Sequence, residues 1–186
     1  MKIAISGAHS QGKTTLIEAL QKLEMFKDYI VRTSFTRKLQ SEGIPINTSG
    51  TTVTQLYVMA EHYSRLHLGE NLLLDRSALD GIAYTKAVLL SDSYQGECSE
   101  NYVWSLQRLY EDMIFKYDVI FYVKPELPLL EDGIRATDQK FFDVVVKYFN
   151  ELIVTAKSNG VKIVEISGSI EQRIQKITEY LVGKGI

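Results

Sequence analysis

Near the amino terminus, Gly7-Ala8-His9-Ser10-Gln11-Gly12-Lys13-Thr14 follows a short apolar run and precedes residues of helical periodicity, a complete G-x-x-x-x-G-K-[ST] pattern. Glycines at its ends remove the Cβ obstruction, so successive N–H groups and the positive end of the next helix can face anionic oxygens. Lys13 adds a mobile ammonium suited to the β- and γ-phosphates of ATP, and Thr14 offers a hydroxyl to Mg²⁺. With Thr15 immediately behind, Gly7, His9, Ser10, Gln11, Gly12, Lys13 and Thr14 make up the set expected to hold the nucleotide. The side chains of His9 and Gln11 are placed to approach the terminal phosphate or the attacking group; His9 is equally well read as a solvent-exposed filler of a variable position.

A second constellation stands at the end of an apolar run, Leu72-Leu73-Leu74-Asp75-Arg76-Ser77. A carboxylate at a strand end beside a phosphate loop either holds Mg²⁺, directly or through water, or takes the proton of an acceptor hydroxyl, so Asp75 is the metal and catalytic candidate. Arg76 is placed to contact a phosphate or the acceptor, and Asp80 either orients it or simply begins a helix. Further on, Gly133 permits a bend before Arg135, which can close over the transferring group as a lid cation or pair at the surface with Glu131 or Asp138. Ser167-Gly168-Ser169 forms a turn positioned to pass beside a purine, while Ser169 and Gln172 also fit a capping box. Arg37 and Gln55 are the candidates for holding the acceptor, with simple surface polarity as the alternative for both. His62 and His67, five residues apart, are poorly spaced for a shared metal and read as surface or packing residues. Tyr57, Tyr63, Tyr84, Tyr94 and Tyr102 are candidates for stacking on a base, although with Tyr 11 in the chain one tyrosine near any pocket is expected by chance.

These residues need a scaffold. Apolar, strand-type runs at residues 2–6, 29–33, 71–75, 119–123 and 162–166 alternate with segments of helical period, the pattern of a parallel sheet covered by crossover helices. Leu16, Ile17, Leu20 and Leu23 mark one helix, and Leu106, Leu109, Tyr110, Met113 and Ile114 another. Phe141 to Ala156 and Ile170 to Leu181 carry two more. No linker or internal repeat divides the chain, so residues 1–186 are expected to form one domain. Residues 37–54, 91–101 and 131–138 read as binding loops or lids.

The 186 residues carry Lys+Arg 21 against Asp+Glu 23, a formal net charge of -2, which provides no general footprint for nucleic acid but leaves room for a local basic groove. One cysteine, Cys98, excludes an internal disulfide and a multi-cysteine zinc site. The opening Met1-Lys2-Ile3-Ala4-Ile5 runs straight into strand-type sequence without an apolar leader, and no apolar stretch has membrane-spanning length, so a cytoplasmic chain is expected.

On the loop Gly7 to Thr14, Asp75, Pro125-Glu126-Leu127-Pro128, Asp132-Gly133-Ile134-Arg135 and Ser167-Gly168-Ser169, the chain resembles the nicotinamide-riboside-kinase-like group of small P-loop kinases. Asp75-Arg76-Ser77 is also similar to the acid–arginine motif of deoxynucleoside and thymidylate kinases. The resemblance implies an α/β P-loop NTPase fold, a five-stranded parallel sheet flanked by helices in the order 2-3-1-4-5. It also implies ATP, Mg²⁺ and transfer of the γ-phosphoryl group to a hydroxyl of a nucleoside, nucleotide or related acceptor. Members often carry an acid at the end of the second strand, where this chain has Thr33-Ser34. That departure leaves the acceptor open, a hydroxymethylated base in DNA included. The reading from a different class is a regulatory P-loop NTPase switch; the chain has no Asn-Lys-x-Asp sequence for guanine, and a homo-oligomer is compatible with either reading.

Overall fold

The computed structural model describes residues 1–92, 94–129 and 138–185, and of Arg37 the backbone alone. Its strands are β1 (Lys2–Ser6), β2 (Ile30–Arg32), β3 (Leu72–Asp75), β4 (Val119–Val123) and β5 (Ile163–Ile166). They form one parallel sheet in the order β2-β3-β1-β4-β5, the order that the resemblance implies. Three strands, β2, β3 and β5, are a residue or two shorter than the apolar runs suggest: Tyr29, Thr33, Asn71 and Lys162 fall outside them.

Because side chains alternate along a strand, the sheet divides its apolar residues between two cores. Ile3, Ile5, Leu73, Val119, Phe121, Val123 and Ile166 face α1 (Lys13–Leu20) and α7 (Ile170–Val182). Ala4, Leu72, Leu74, Ile120, Tyr122 and Ile163 face the other way, under a layer that contains α3 (Thr52–Arg65), α4 (Ala78–Leu89), α5 (Glu100–Ile114) and α6 (Gln139–Ser158). β4 is buried along its whole length, which is why it reads as a continuous apolar run rather than an alternating one. Among the described residues no helix is long and apolar enough to cross a membrane.

The segment 37–54 is more regular than its Gly, Pro, Ser and Thr content suggests. It contains most of α2 (Thr36–Ser41), a single 3₁₀ turn at Asn47–Ser49 and the first residues of α3. Phe35 and Leu39, one turn apart and both buried, pin α2 to the body; Gly43, at φ +77°, then lets the chain leave it. Thr51 accepts the Thr54 amide at 3.2 Å and starts α3. Of the segment 91–101, Ser99 caps α5, and Tyr94 and Tyr102 both reach the start of α3, where the Tyr94 hydroxyl accepts the Thr52 amide and the Tyr102 hydroxyl donates to the Thr52 carbonyl. The segment 131–138 lies outside the described residues except for Asp138, whose carboxylate accepts the Lys140 and Phe141 amides and begins α6.

The carboxyl ends of β1 and β3 meet where the strand order reverses, the crevice in which open α/β sheets hold ligands. Ile5 pairs with Asp75 across that line, so the loop after β1 and the acid ending β3 are fixed side by side. The start of α4 is tied to β1 by a buried contact of 2.6 Å between the Ser6 and Ser77 hydroxyls. Ser77 also caps the helix reciprocally with Asp80. Ser77→Ala removes the cap and leaves Ser6 without its buried partner. A loss of about 2 kcal/mol in unfolding free energy is expected, measured by urea denaturation.

Candidate active site

The loop between β1 and α1 takes backbone conformations that most residues avoid. Gly7 has φ +144°, and a Cβ there would lie 2.7 Å from the Val123 carbonyl oxygen; Gly12 has φ +73° at the start of α1. Between them Ser10 holds φ +63° without being glycine, a local cost of about 1 kcal/mol that the surroundings must offset. Those surroundings grip the loop from behind. The Gly7 amide donates to Asp80 Oδ1 at 3.3 Å, the His9 amide to the Tyr84 hydroxyl at 2.8 Å, and Arg173 Nη1 to the Gln11 carbonyl at 2.7 Å. Among the described residues, the amide hydrogens of Ser10, Gln11 and Gly12 have no partner and remain for a ligand. Lys13 Nζ donates to the Ala8 carbonyl at 2.6 Å, which holds the ammonium over the same loop.

Thr14 and Asp75, apart in sequence, are in contact: Thr14 Oγ1 donates to Asp75 Oδ2 at 2.9 Å, and the Ser34 amide donates to the same oxygen at 3.2 Å. The second oxygen, Asp75 Oδ1, is buried without a partner. A buried carboxylate oxygen with an empty lone pair beside a threonine hydroxyl suits a hard cation, and Mg²⁺ ordinarily takes only one or two protein oxygens and leaves the rest to phosphate and water. The donor set therefore fits the metal.

Arg76 follows at φ +81°, a left-handed non-glycine residue at the strand end. Its amide donates to the Ile5 carbonyl at 2.9 Å, its Nε donates to the Ser34 hydroxyl at 3.2 Å and its Nη1 lies 3.5 Å from Asp80 Oδ1, with the guanidinium 5.6 Å from the Tyr84 ring centroid. Asp80 thus does both things its position suggests, capping α4 and holding the arginine. Burial pushes its carboxyl above the usual range, and Arg76 and Lys13 pull the other way.

One cavity of about 340 Å³ runs from the phosphate loop, including Thr15, past Asp75 and Arg76 to Gln40, Gln55 and His62. Gln55 lies inside α3 and is buried; its carboxamide oxygen accepts the Thr85 hydroxyl at 3.1 Å. Arg37 sits in α2, but its side chain lies outside what is described, and Arg135 falls outside the described residues altogether. Three readings need correcting. The Gln11 side chain does not point at phosphate: its Nε2 donates to the Leu127 carbonyl and its Oε1 accepts the Glu126 and Leu127 amides, so it straps the loop to the segment after β4. His9 is not an exposed filler but is 5% exposed, wedged among Tyr84, Phe141 and Phe142. Ser167 and Gly168 do not line this cavity; the Gly168 amide donates to Glu126 at 2.8 Å on the side of the loop where Arg173 stands 3.9 Å from the same carboxylate.

Sequence reasoning missed Arg173, buried on an otherwise ordinary amphipathic helix, and offered Tyr84 only for stacking on a base, whereas its hydroxyl holds the His9 amide. It also passed over Gln40 and took His62 for a surface or packing residue. His62 is 2% exposed, lines the cavity, and its Nε2 has no hydrogen-bond partner.

The family model described as an AAA domain matches residues 2–173. No curated protein sequence matches the chain. Among solved structures, thymidylate kinase from Candida albicans is 23% identical with TM-score 0.68, over 98% of this chain and 91% of that one. Deoxyadenosine kinase from M. mycoides with bound dCTP is 15% identical with TM-score 0.64, over 98% and 100%. NadR protein in complex with NR is 16% identical with TM-score 0.66, over 96% of this chain but 50% of that chain, so the present chain spans about half of NadR. These likenesses establish the fold as that of the P-loop kinases.

The burial of His62 has a consequence for pH. Desolvation first, then the nearby Arg65 and Arg76, lower its pKa from 6.5 to about 3. Between those values the unfolded chain binds a proton that the folded chain refuses. His62 therefore leaves stability intact above pH 6.5 and erodes it as pH falls, by on the order of 5 kcal/mol in all. Urea denaturation of the parent and of His62→Gln across pH 4 to 7 should show a steeper loss of stability with falling pH in the parent.

Proposed function

The chain belongs to the AAA domain family, and from that premise we propose that it is a Mg·ATP-dependent kinase that moves the γ-phosphoryl group to a hydroxyl of a nucleoside, nucleotide or related acceptor. The observation that carries this reading is the reach of the cavity: a nucleotide switch needs a site for one nucleotide, whereas the walls of this space include, besides the phosphate loop and Asp75, residues of α2, α3 and α4. The fold shared with thymidylate and deoxyadenosine kinases supports it.

In this reading the loop amides and Lys13 bind the phosphates, and Thr14 and Asp75 hold Mg²⁺, which when bound neutralises charge on the phosphate oxygens. The acceptor oxygen forms its bond to the γ-phosphorus as the bond to the β-bridging oxygen breaks, and the acceptor proton passes to Asp75 or to water. Such transfer is loose in character, so positioning and charge neutralisation account for most of the acceleration. Arg76, held by Asp80 and Tyr84, faces the line of transfer and contacts either phosphate or acceptor. Arg135 acts as the lid cation, and Arg37 and Gln55 bind the acceptor.

Incubating the protein with Mg²⁺ and γ-labelled ATP and a panel of nucleosides, nucleotides and hydroxymethylated DNA tests the reading directly. Label should appear in an acceptor. Label released only as free phosphate, and only when a protein partner is added, would replace the kinase with a switch. Lys13→Ala should lower kcat/KM by about a hundred-fold or more in a chain that still unfolds cooperatively, as expected when one donor to developing charge is removed. Asp75→Asn should weaken the Mg²⁺ dependence of nucleotide binding, read by calorimetry with and without the metal.

A further inference from the structure

Among the cavity's walls outside the phosphate loop, two buried polar atoms have nothing to bond to. His62 Nε2 and Gln40 Oε1 are both without a hydrogen-bond partner, and both residues line the space that Asp75 and Lys13 share. Leaving such an atom unsatisfied costs about 1–3 kcal/mol, and folded proteins keep few of them unless water or a ligand completes the bond. The two come from different elements, His62 from α3 and Gln40 from α2, and converge on one chamber.

The fold holds them in place. The His62 ring meets Phe35 edge to face, centroids 5.3 Å apart at 73°. On its other side stands Gly81 of α4, where an added Cβ would lie 3.0 Å from His62 Cδ2 and 2.6 Å from Met59 Sδ. Only glycine lets α4 come this close to the imidazole. Gln40 follows Leu39, whose 1% exposure fixes that turn of α2 against the body. Asn47, Thr54 and Gln55 extend the same wall with further uncharged polar groups.

We propose that His62 and Gln40 recognise the acceptor, holding an uncharged hydrogen-bonding group of it, such as a ring amide, amine or hydroxyl, while the reacting hydroxyl points back toward Asp75. This rests on the kinase reading and adds to it the chemistry of the acceptor's far end. Neither side chain offers a charge to a phosphate: the carboxamide is neutral by nature, and burial with two arginines nearby keeps the imidazole neutral. What they offer is direction. The carboxamide oxygen requires a donor on the ligand, and the imidazole nitrogen accepts or donates according to its tautomer. A site built on such bonds rejects a molecule that lacks the matching group, because its own buried atoms are then left unpaired.

The test is steady-state phosphoryl transfer from Mg·ATP to a panel of purine, pyrimidine and nicotinamide nucleosides, their 5′-monophosphates and hydroxymethylated DNA, with the parent protein, His62→Phe, His62→Gln and Gln40→Leu. His62→Phe preserves an aromatic ring against Phe35, and Gln40→Leu preserves most of the volume, so folding survives in at least one of them; exposed His67→Ala is the control. The expected result is a rise of about ten-fold in acceptor KM for His62→Phe and for Gln40→Leu, partial recovery in His62→Gln, and an ATP KM within two-fold of the parent. An acceptor KM unchanged in both, or an ATP KM rising in step with it, overturns the assignment while leaving the kinase intact. A parent protein that binds Mg·ATP but labels no member of the panel overturns the kinase reading itself, and the assignment with it.

Discussion

A loop that offers its amide hydrogens to a ligand cannot use them to hold itself. The segment from Gly7 to Thr14 meets this constraint by being held from behind, through atoms that the ligand does not need. The Gly7 and His9 amides go to Asp80 and Tyr84 of α4, the Gln11 carbonyl goes to Arg173 of α7, and the Gln11 carboxamide grips the backbone after β4. Two helices on opposite faces of the sheet thus converge on one turn, and its three central amides stay available. The left-handed Ser10 is a local cost of that shape, offset by these supports, while the approach of the backbone at Gly7 to Val123 is open only to a residue without a Cβ.

The same logic extends to β3. Arg76 occupies a left-handed conformation immediately after Asp75, and its side chain is tied to Ser34, Asp80 and Tyr84. Asp80 is the hinge of this arrangement, since it caps α4, accepts the loop's first amide and faces the arginine. A carboxylate shared among three structural tasks is costly to bury, which is why its carboxyl is pushed upward, and its neighbours return part of that cost.

Much of this was legible in the chain. The loop pattern, the acid at a strand end and the alternation of strand and helix are local features, each contained within a few residues, and they point Lys13, Thr14 and Asp75 to one site. The rest depends on partners far apart in sequence. Gln11 looks like a phosphate contact until Glu126 and Leu127 are seen beside it, and His9 looks exposed until α6 covers it. The short helix α2 was hidden because its Gly and Ser neighbours read as loop, and only the buried Phe35 and Leu39 reveal why it forms. His62 and Gln40 carried no signal at all, since an unpaired polar atom is a property of three-dimensional packing and not of composition.

The account stands on free amide hydrogens that close around a phosphate chain, and nuclear magnetic resonance reads them one by one. In ¹H–¹⁵N spectra of the uniformly labelled protein titrated with Mg²⁺ and a non-hydrolysable ATP analogue, the Ser10, Gln11 and Gly12 amide protons should move downfield further than those of any strand. Saturation with the analogue that leaves these three signals where they began would contradict it.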